Sequence, residues 1–143
     1  MSATRADRQQ AIRQIVRGGS IRTQNELVAT LREHGFEVTQ ATVSRDISDL
    51  DLRKDESGFY ALSEDMKLKA LAMAAIRETR RAGNQVIVLT EPGSASSVAA
   101  ALDAAQVDGV LGCIAGDDTI LVITADEEAG KRFQESVDNL LSH

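Results

Sequence analysis

Residues 38–50 read VTQATVSRDISDL. Val43, Ile47 and Leu50 recur at intervals of four and three, the period of a helix with one buried face. At 3.6 residues per turn these three fall within about a fifth of the circumference. Arg45 lies almost opposite them, with Ala41, Thr42, Ser44 and Ser48 spread around it and Gln40 at the helix start. Such a face suits the major groove of DNA, which admits a helix only when its outward side chains are not bulky. Arg45 can give two parallel hydrogen bonds to a guanine edge or grip a phosphate. Gln40, Thr42 and Ser44 can reach phosphates or base edges. Asp46, Asp49 and Asp51 oppose this reading, because a carboxylate repels phosphate; they must point away from the duplex. The plain alternative is an ordinary surface helix of a small bundle, and the flanking sequence decides between the two.

Upstream, 8–16 carries Ile12, Ile15 and Val16 on one side, a short amphipathic helix ended by Gly18-Gly19. In TQNELVATLREHG, Thr23 and Glu26 have the spacing of a capping box, Leu27, Val28 and Leu31 form the apolar stripe, and Gly35 supplies the stop. Downstream, LRKDESGFYAL reads as two short strands around Glu56-Ser57-Gly58. Three helices and a hairpin outline a winged helix-turn-helix over 1–63. Arg53 and Lys54, at the start of the hairpin, are placed to add sugar–phosphate contacts from a wing.

Ser63 is expected to cap a connecting helix over 64–83, with Glu64 and Asp65 in its first turn and Arg80 and Arg81 in its last. Both placements complement a helix dipole, and Gly83 ends the helix. Its face of Leu71, Ala74 and Ala75 is expected to pack. From 84 the pattern changes. QVIVLT (85–90) is a buried-strand run, 94–104 a small-residue helix using Val98 and Leu102, and VLGCIAG (110–116) and TILVIT (119–124) are strands. Asp126 caps a last helix with Ala129, Phe133, Val137, Leu140 and Leu141 on one side. The order strand, helix, strand, strand, helix makes 84–143 a small α+β domain. A domain of that size buries only about 60% of its unfolded-chain surface, so association between copies is expected.

Two adjacent carboxylates, Asp117 and Asp118, sit between the last two strands. They read either as an inert Gly-Asp turn or as an acidic corner facing a partner and awaiting a cation. Two such charges about 4 Å apart at an interface repel by about 4 kcal/mol at an effective dielectric of 20. A guanidinium fits a carboxylate pair through its bidentate fork. A divalent metal lacks a shell, because no His, Cys or further Glu is close in sequence.

The net charge of −6 on 143 residues is uneven. Residues 1–63 balance nine basic against nine acidic side chains, with 1–45 at +3, whereas 64–143 hold seven against thirteen. A basic end joined to an acidic end indicates two domains with different partners. Aromatics make up 3% and Trp is absent, so both cores are aliphatic and alanine-rich. The single cysteine, Cys113, excludes an internal disulfide and a cysteine-based zinc site and fits a reducing compartment. Without a signal-peptide pattern or a membrane-length apolar run, the chain reads as soluble and cytoplasmic.

The two motifs, VTQATVSRDISDL with its Ser44-Arg45 pair and GCIAGDDTILVI preceded by the Pro92-Gly93 turn, together resemble the bacterial arginine repressor family. The resemblance runs from about residue 5 to 141. It implies a transcriptional regulator that represses arginine biosynthesis genes, with L-arginine as corepressor and no other cofactor; activation of catabolic genes is left open as an alternative. It also implies an operator-binding winged helix and a C-terminal domain that forms trimers pairing into hexamers, with arginine between the trimers. Carried over by motif, Asp117, Asp118 and Asp103 would bind arginine and Ala115 would offer its backbone. Ser96 stands where some members carry glutamine.

Other classes fit less well. His34 and His143 sit at a helix end and a terminus, Cys113 packs in a strand, and Ser44 has no nearby base. Gly93, Gly109 and Gly112 make no phosphate loop. An enzyme is therefore not expected. A winged-helix regulator answering a different amino acid or a cation is the second reading, and a purely structural oligomerisation module the third.

Overall fold

A computed structural model describes residues 3–142, so the expectation for His143 lies outside the described residues. They form six helices and six strands in two units that divide between Met66 and Lys67.

The first unit holds α1 (Arg5–Arg17), α2 (Gln24–Glu33), α3 (Gln40–Asp49), β1 (Leu52–Lys54) and β2 (Tyr60–Leu62). α1 starts a turn earlier than its apolar pattern suggested. Thr4 accepts from the Asp7 N–H and Asp7 accepts from the Thr4 N–H, a reciprocal cap. At α2 the expected box is only half formed. Thr23 accepts from the Glu26 N–H, but the Glu26 carboxylate takes the Arg22 N–H instead. Thr39 caps α3 by accepting from the Thr42 N–H. Ile12, Val16, Leu27, Leu31, Val43, Leu52 and Leu62 share one buried cluster, against which Ile47 packs half-buried. β1 and β2 pair antiparallel with Leu52 opposite Leu62. In the turn between them the Asp55 carboxylate accepts from the Ser57 and Phe59 N–H groups. The expected winged helix-turn-helix is what forms.

α4 (Ser63–Ala75) is shorter than expected, and Ser63 does not cap it: its hydroxyl donates to the Asp51 carbonyl. The helix stops at Ala75, and 76–82 forms a strand, β3 (Ile76–Ala82), not a last helical turn. β3 folds back on β4 (Gln85–Thr90) through Gly83-Asn84, with Ala82 paired to Gln85. Gly83 at φ +61 supplies the left-handed first position that a two-residue hairpin requires. Arg77, Glu78, Arg80 and Arg81 therefore line a charged edge strand, which discourages pairing with foreign strands, rather than complementing a helix dipole. The buried stripe of α4 is Leu68, Leu71, Ala72 and Ala75; Ala74 is exposed.

Next come α5 (Ala95–Ala105), β5 (Val110–Ala115), β6 (Thr119–Thr124) and α6 (Glu127–Leu141). The sheet order is β3-β4-β6-β5, antiparallel throughout. Register sorts its two faces. Val86, Val88, Ile120 and Val122 are fully buried in a cluster with Val98 and Leu102 of α5 and Phe133 and Val137 of α6. The opposite face carries Ile87, Leu121 and Ile114 in one row across three strands. No helix of the unit covers that row among the described residues, and Ile114 is 75% exposed.

Candidate nucleic-acid interface and acidic turn

Burial of Val43 and Leu50 fixes the rotation of α3, so Gln40, Ser44 and Arg45 are exposed and Thr42 is half-buried. Arg45 makes no salt bridge among the described residues, which leaves its guanidinium available to a ligand. Gln40 Nε2 donates to the Asn25 Oδ1 at 3.4 Å, and the Thr42 hydroxyl meets that of Thr39 at 3.0 Å. On the hairpin, Arg53 is exposed and Lys54 lies 5.5 Å from the Tyr60 ring centre. The recognition residues named from sequence thus lie on α3 and β1 within one unit, all exposed but the half-buried Thr42.

The three aspartates that argued against DNA binding are each matched by an arginine. Asp46 turns inward and is 1% exposed. Arg8 Nε and Nη2 donate to its two oxygens (2.5 and 3.0 Å), and Gln9 Nε2 adds a third bond at 3.2 Å. Arg5 reaches Asp49 (2.6 Å), and Arg53 reaches Asp51 (3.2 Å), holding the Asp51 carboxyl below its ordinary value. These partners were not foreseen. The Arg8–Asp46 pair joins residues 38 apart in sequence, and no short-range pattern signals it.

Burial alone would raise the Asp46 carboxyl, but its bonds from Arg8 and Gln9 and the charges of Arg8 and Arg5 outweigh that and lower it. The linkage has a definite sign. A folded-state value below the unfolded value, about 3.9 for aspartate, contributes stability that is present above the unfolded value and lost as pH falls through the folded one. Asp46→Ala leaves Arg8 unpaired and is expected to destabilise the first unit by an amount near the lower end of about 3–5 kcal/mol, because Arg8 is not fully buried. Asp46→Asn should cost less and should flatten the acid limb of stability. Thermal unfolding followed by circular dichroism from pH 6 to pH 2 reads both; an acid limb identical to that of the parent chain would contradict the assignment.

The acidic turn joins β5 to β6. Gly116 N–H donates to the Thr119 carbonyl (2.8 Å), closing it. Both Asp117 and Asp118 are exposed. Their roles differ. Asp117 Oδ2 accepts from the Gly93 N–H (3.3 Å) and its carbonyl from the Ala95 N–H (3.2 Å), tying the turn to the start of α5. Among the described residues the Asp118 carboxylate accepts only from the hydroxyl of its own neighbour, Thr119 (3.0 Å), and is the freer of the two. Ala115 is the last residue of β5, half-buried and paired with Ile120.

Asp103 lies elsewhere in the unit. It stands eight residues beyond Ala95 on α5, about 12 Å along the helix axis. The structure therefore does not bring it beside Asp117 and Asp118 within one chain. Asp103 instead accepts from the Cys113 thiol at 3.5 Å. Burial, then the charge of Asp103, push that thiol up to about 11. At pH 8 the thiolate fraction should be roughly two orders of magnitude below that of an ordinary thiol. Alkylation of Cys113 by iodoacetamide should be slow to match, and Asp103→Asn should speed it. Labelling of the parent chain at the rate of a free thiol would refute this. Among the described residues, no group of three His, Cys, Asp or Glu side chains could hold a metal ion.

Comparison with known proteins finds a family match for each half of the chain. Residues 3–67 match the family described as "Arginine repressor, DNA binding domain", and residues 72–139 match "Arginine repressor, C-terminal domain". A protein named "Arginine repressor" from Solibacter usitatus is 43% identical over 143 residues, covering 98% of this chain and 99% of that protein. One of the same name from Thermus thermophilus is 41% identical, covering 96% of this chain and 90% of that protein. A third, from Carboxydothermus hydrogenoformans, is 40% identical, covering 94% and 97%.

Proposed function

The chain belongs to the arginine repressor family and is an arginine-responsive DNA-binding regulator, not an enzyme, and from that premise we propose how the two events are joined. L-Arginine binds at the Asp117-Asp118 turn, with the Ala115 backbone beside it. Asp103, about 12 Å away along α5, joins the same pocket from another copy of the chain. The copies form trimers, and arginine favours their pairing into hexamers. Each copy then presents α3 to operator DNA, with Arg45, Ser44, Thr42 and Gln40 in the major groove and Arg53 and Lys54 on the flanking backbone. The protein acts in the cytoplasm as a repressor of arginine biosynthesis genes.

The observation that carries this reading is the exposed carboxylate pair at 117–118, in which, among the described residues, the Asp118 side chain is bonded only to the Thr119 hydroxyl. Brought against a like surface, such corners repel; a guanidinium between them reverses the sign of that interaction. The uncovered row of Ile87, Leu121 and Ile114 supports association between copies, since apolar area of this kind is stabilised by removal from water. Linked heads engage adjacent half-sites at a raised effective concentration, so affinity climbs without any new DNA contact.

Isothermal titration with L-arginine, L-lysine, L-ornithine and L-citrulline tests the effector. Arginine should bind tightest, because only it offers both positive charge and a planar fork. Citrulline, which keeps the shape and loses the charge, should not bind measurably. Equal affinity for lysine or ornithine would instead favour a general cation sensor.

A further inference from the structure

One cleft in the DNA-binding unit is not accounted for by the recognition residues alone. It has a volume of about 390 Å³ and is lined by Arg5, Arg8, Thr42, Arg45, Asp46 and Asp49. Three arginines face two aspartates there. On α3, Thr42, Arg45, Asp46 and Asp49 are spaced 0, 3, 4 and 7, so they form one stripe along the flank of the helix that faces α1. A helix seated in a groove about 12 Å wide has a sugar–phosphate backbone along each flank. The stripe and the start of α1 are therefore where a backbone phosphate would pass.

We propose that this cleft seats one phosphodiester of the DNA backbone, and that Arg5 is the residue that changes partner to bind it. The inference rests on the reading that α3 enters the major groove. Its two ion pairs differ in the way such a seat needs. Arg8 is held by a bidentate bond to Asp46, which is 1% exposed, so that pair is a fixed wall. Arg5 and Asp49 have side chains 66% and 44% exposed, joined by a single bond at 2.6 Å. Exposed pairs of this sort contribute little to stability, so Arg5 can leave Asp49 for a phosphate at small cost. Until then Asp49 competes for it, which weakens binding wherever the backbone is not held in the cleft.

The salt dependence of binding counts phosphate contacts and separates this role from mere neutralisation of Asp49. Full-length chain, saturated with L-arginine, is titrated onto an operator fragment and onto unrelated DNA of the same length between 50 and 200 mM salt. For Arg5→Gln the slope of log affinity against log salt should fall by about one per bound head. Across that salt range the parent chain should lose about fourfold more affinity per head than the variant. The loss should be the same on both DNAs, because a phosphate carries no sequence information. Asp49→Asn should bind both DNAs more tightly, with its slope kept. Arg5→Gln placed in the Asp49→Asn background should again lose about one unit of slope per head.

If Arg5 serves only to cancel Asp49, its replacement will have no effect once Asp49 is gone, and the proposal is overturned. An unchanged slope for Arg5→Gln in either background overturns it too. Arg5→Lys, which keeps the charge, should retain the parent slope; losing it would point to a structural role and also count against the proposal. Absence of operator binding by the parent chain would be a failure of the functional reading itself, distinct from all of these.

Discussion

Replacing Arg45 by alanine abolishes sequence-specific operator binding while the oligomer stays intact. Arg45 is exposed on the one face of α3 that the core leaves free, and it makes no salt bridge among the described residues. A bidentate base contact is worth about 1–3 kcal/mol of discrimination at one head. Several heads engage one operator at once, so the loss repeats at each and specific binding falls toward the non-specific level. Folding is not at stake, because the buried positions of α3 are Val43 and Asp46. A gel shift with operator and scrambled fragments reads the specificity, and native mass measurement reads the assembly. Dissociated subunits in the variant, or retained discrimination between the two fragments, would contradict the assignment.

Asp118→Asn weakens the response to arginine and leaves basal DNA binding unchanged. The substitution keeps the shape and removes one charge from the pair. Losing a charge-assisted hydrogen bond costs about 1.5–3 kcal/mol, or about ten- to a hundredfold in arginine affinity. Asp117→Asn should have a similar effect on arginine and a structural one besides, since the Asp117 carboxylate also holds the Gly93 N–H. Operator retention measured across an arginine series, with thermal unfolding alongside, separates the two. The arginine midpoint should move in both variants, and stability only in Asp117→Asn. An arginine series on the Asp118 variant that overlays the parent would sink this role.

The parts of the fold legible in sequence were those set by apolar periodicity and capping. Val43, Ile47 and Leu50 gave the rotation of α3, Thr39 gave its start, and the strand runs expected at 85–90, 110–116 and 119–124 form, the second ending one residue early at Ala115. β3 was missed because its residues are charged: on an edge strand, Arg77, Glu78, Arg80 and Arg81 need no apolar alternation. The Gly83-Asn84 pair was the available signal, since that dipeptide between two extended runs marks a hairpin. At the candidate site the exposed residues of α3 and the 117–118 turn could be named from composition. The partners that neutralise Asp46 and Asp49 could not, because Arg8 and Arg5 lie 38 and 44 positions away and meet them only after α1 and α3 pack. Asp103 reads as a ligand from the motif, yet its carboxylate meets the Cys113 thiol, and helix geometry rather than sequence separates it from the turn.

The central claim is that arginine joins copies of the chain through the acidic turn and thereby joins their reading heads. Sedimentation velocity over a falling series of protein concentrations, with and without saturating L-arginine, tests it most directly when run in parallel on Asp118→Asn. Arginine should shift the parent chain from trimer toward hexamer and lower the concentration at which half the material is hexameric, while the variant should need about ten- to a hundredfold more arginine for the same shift. If the parent binds arginine by titration calorimetry but shows the same distribution of species with and without it at every concentration, the account is wrong.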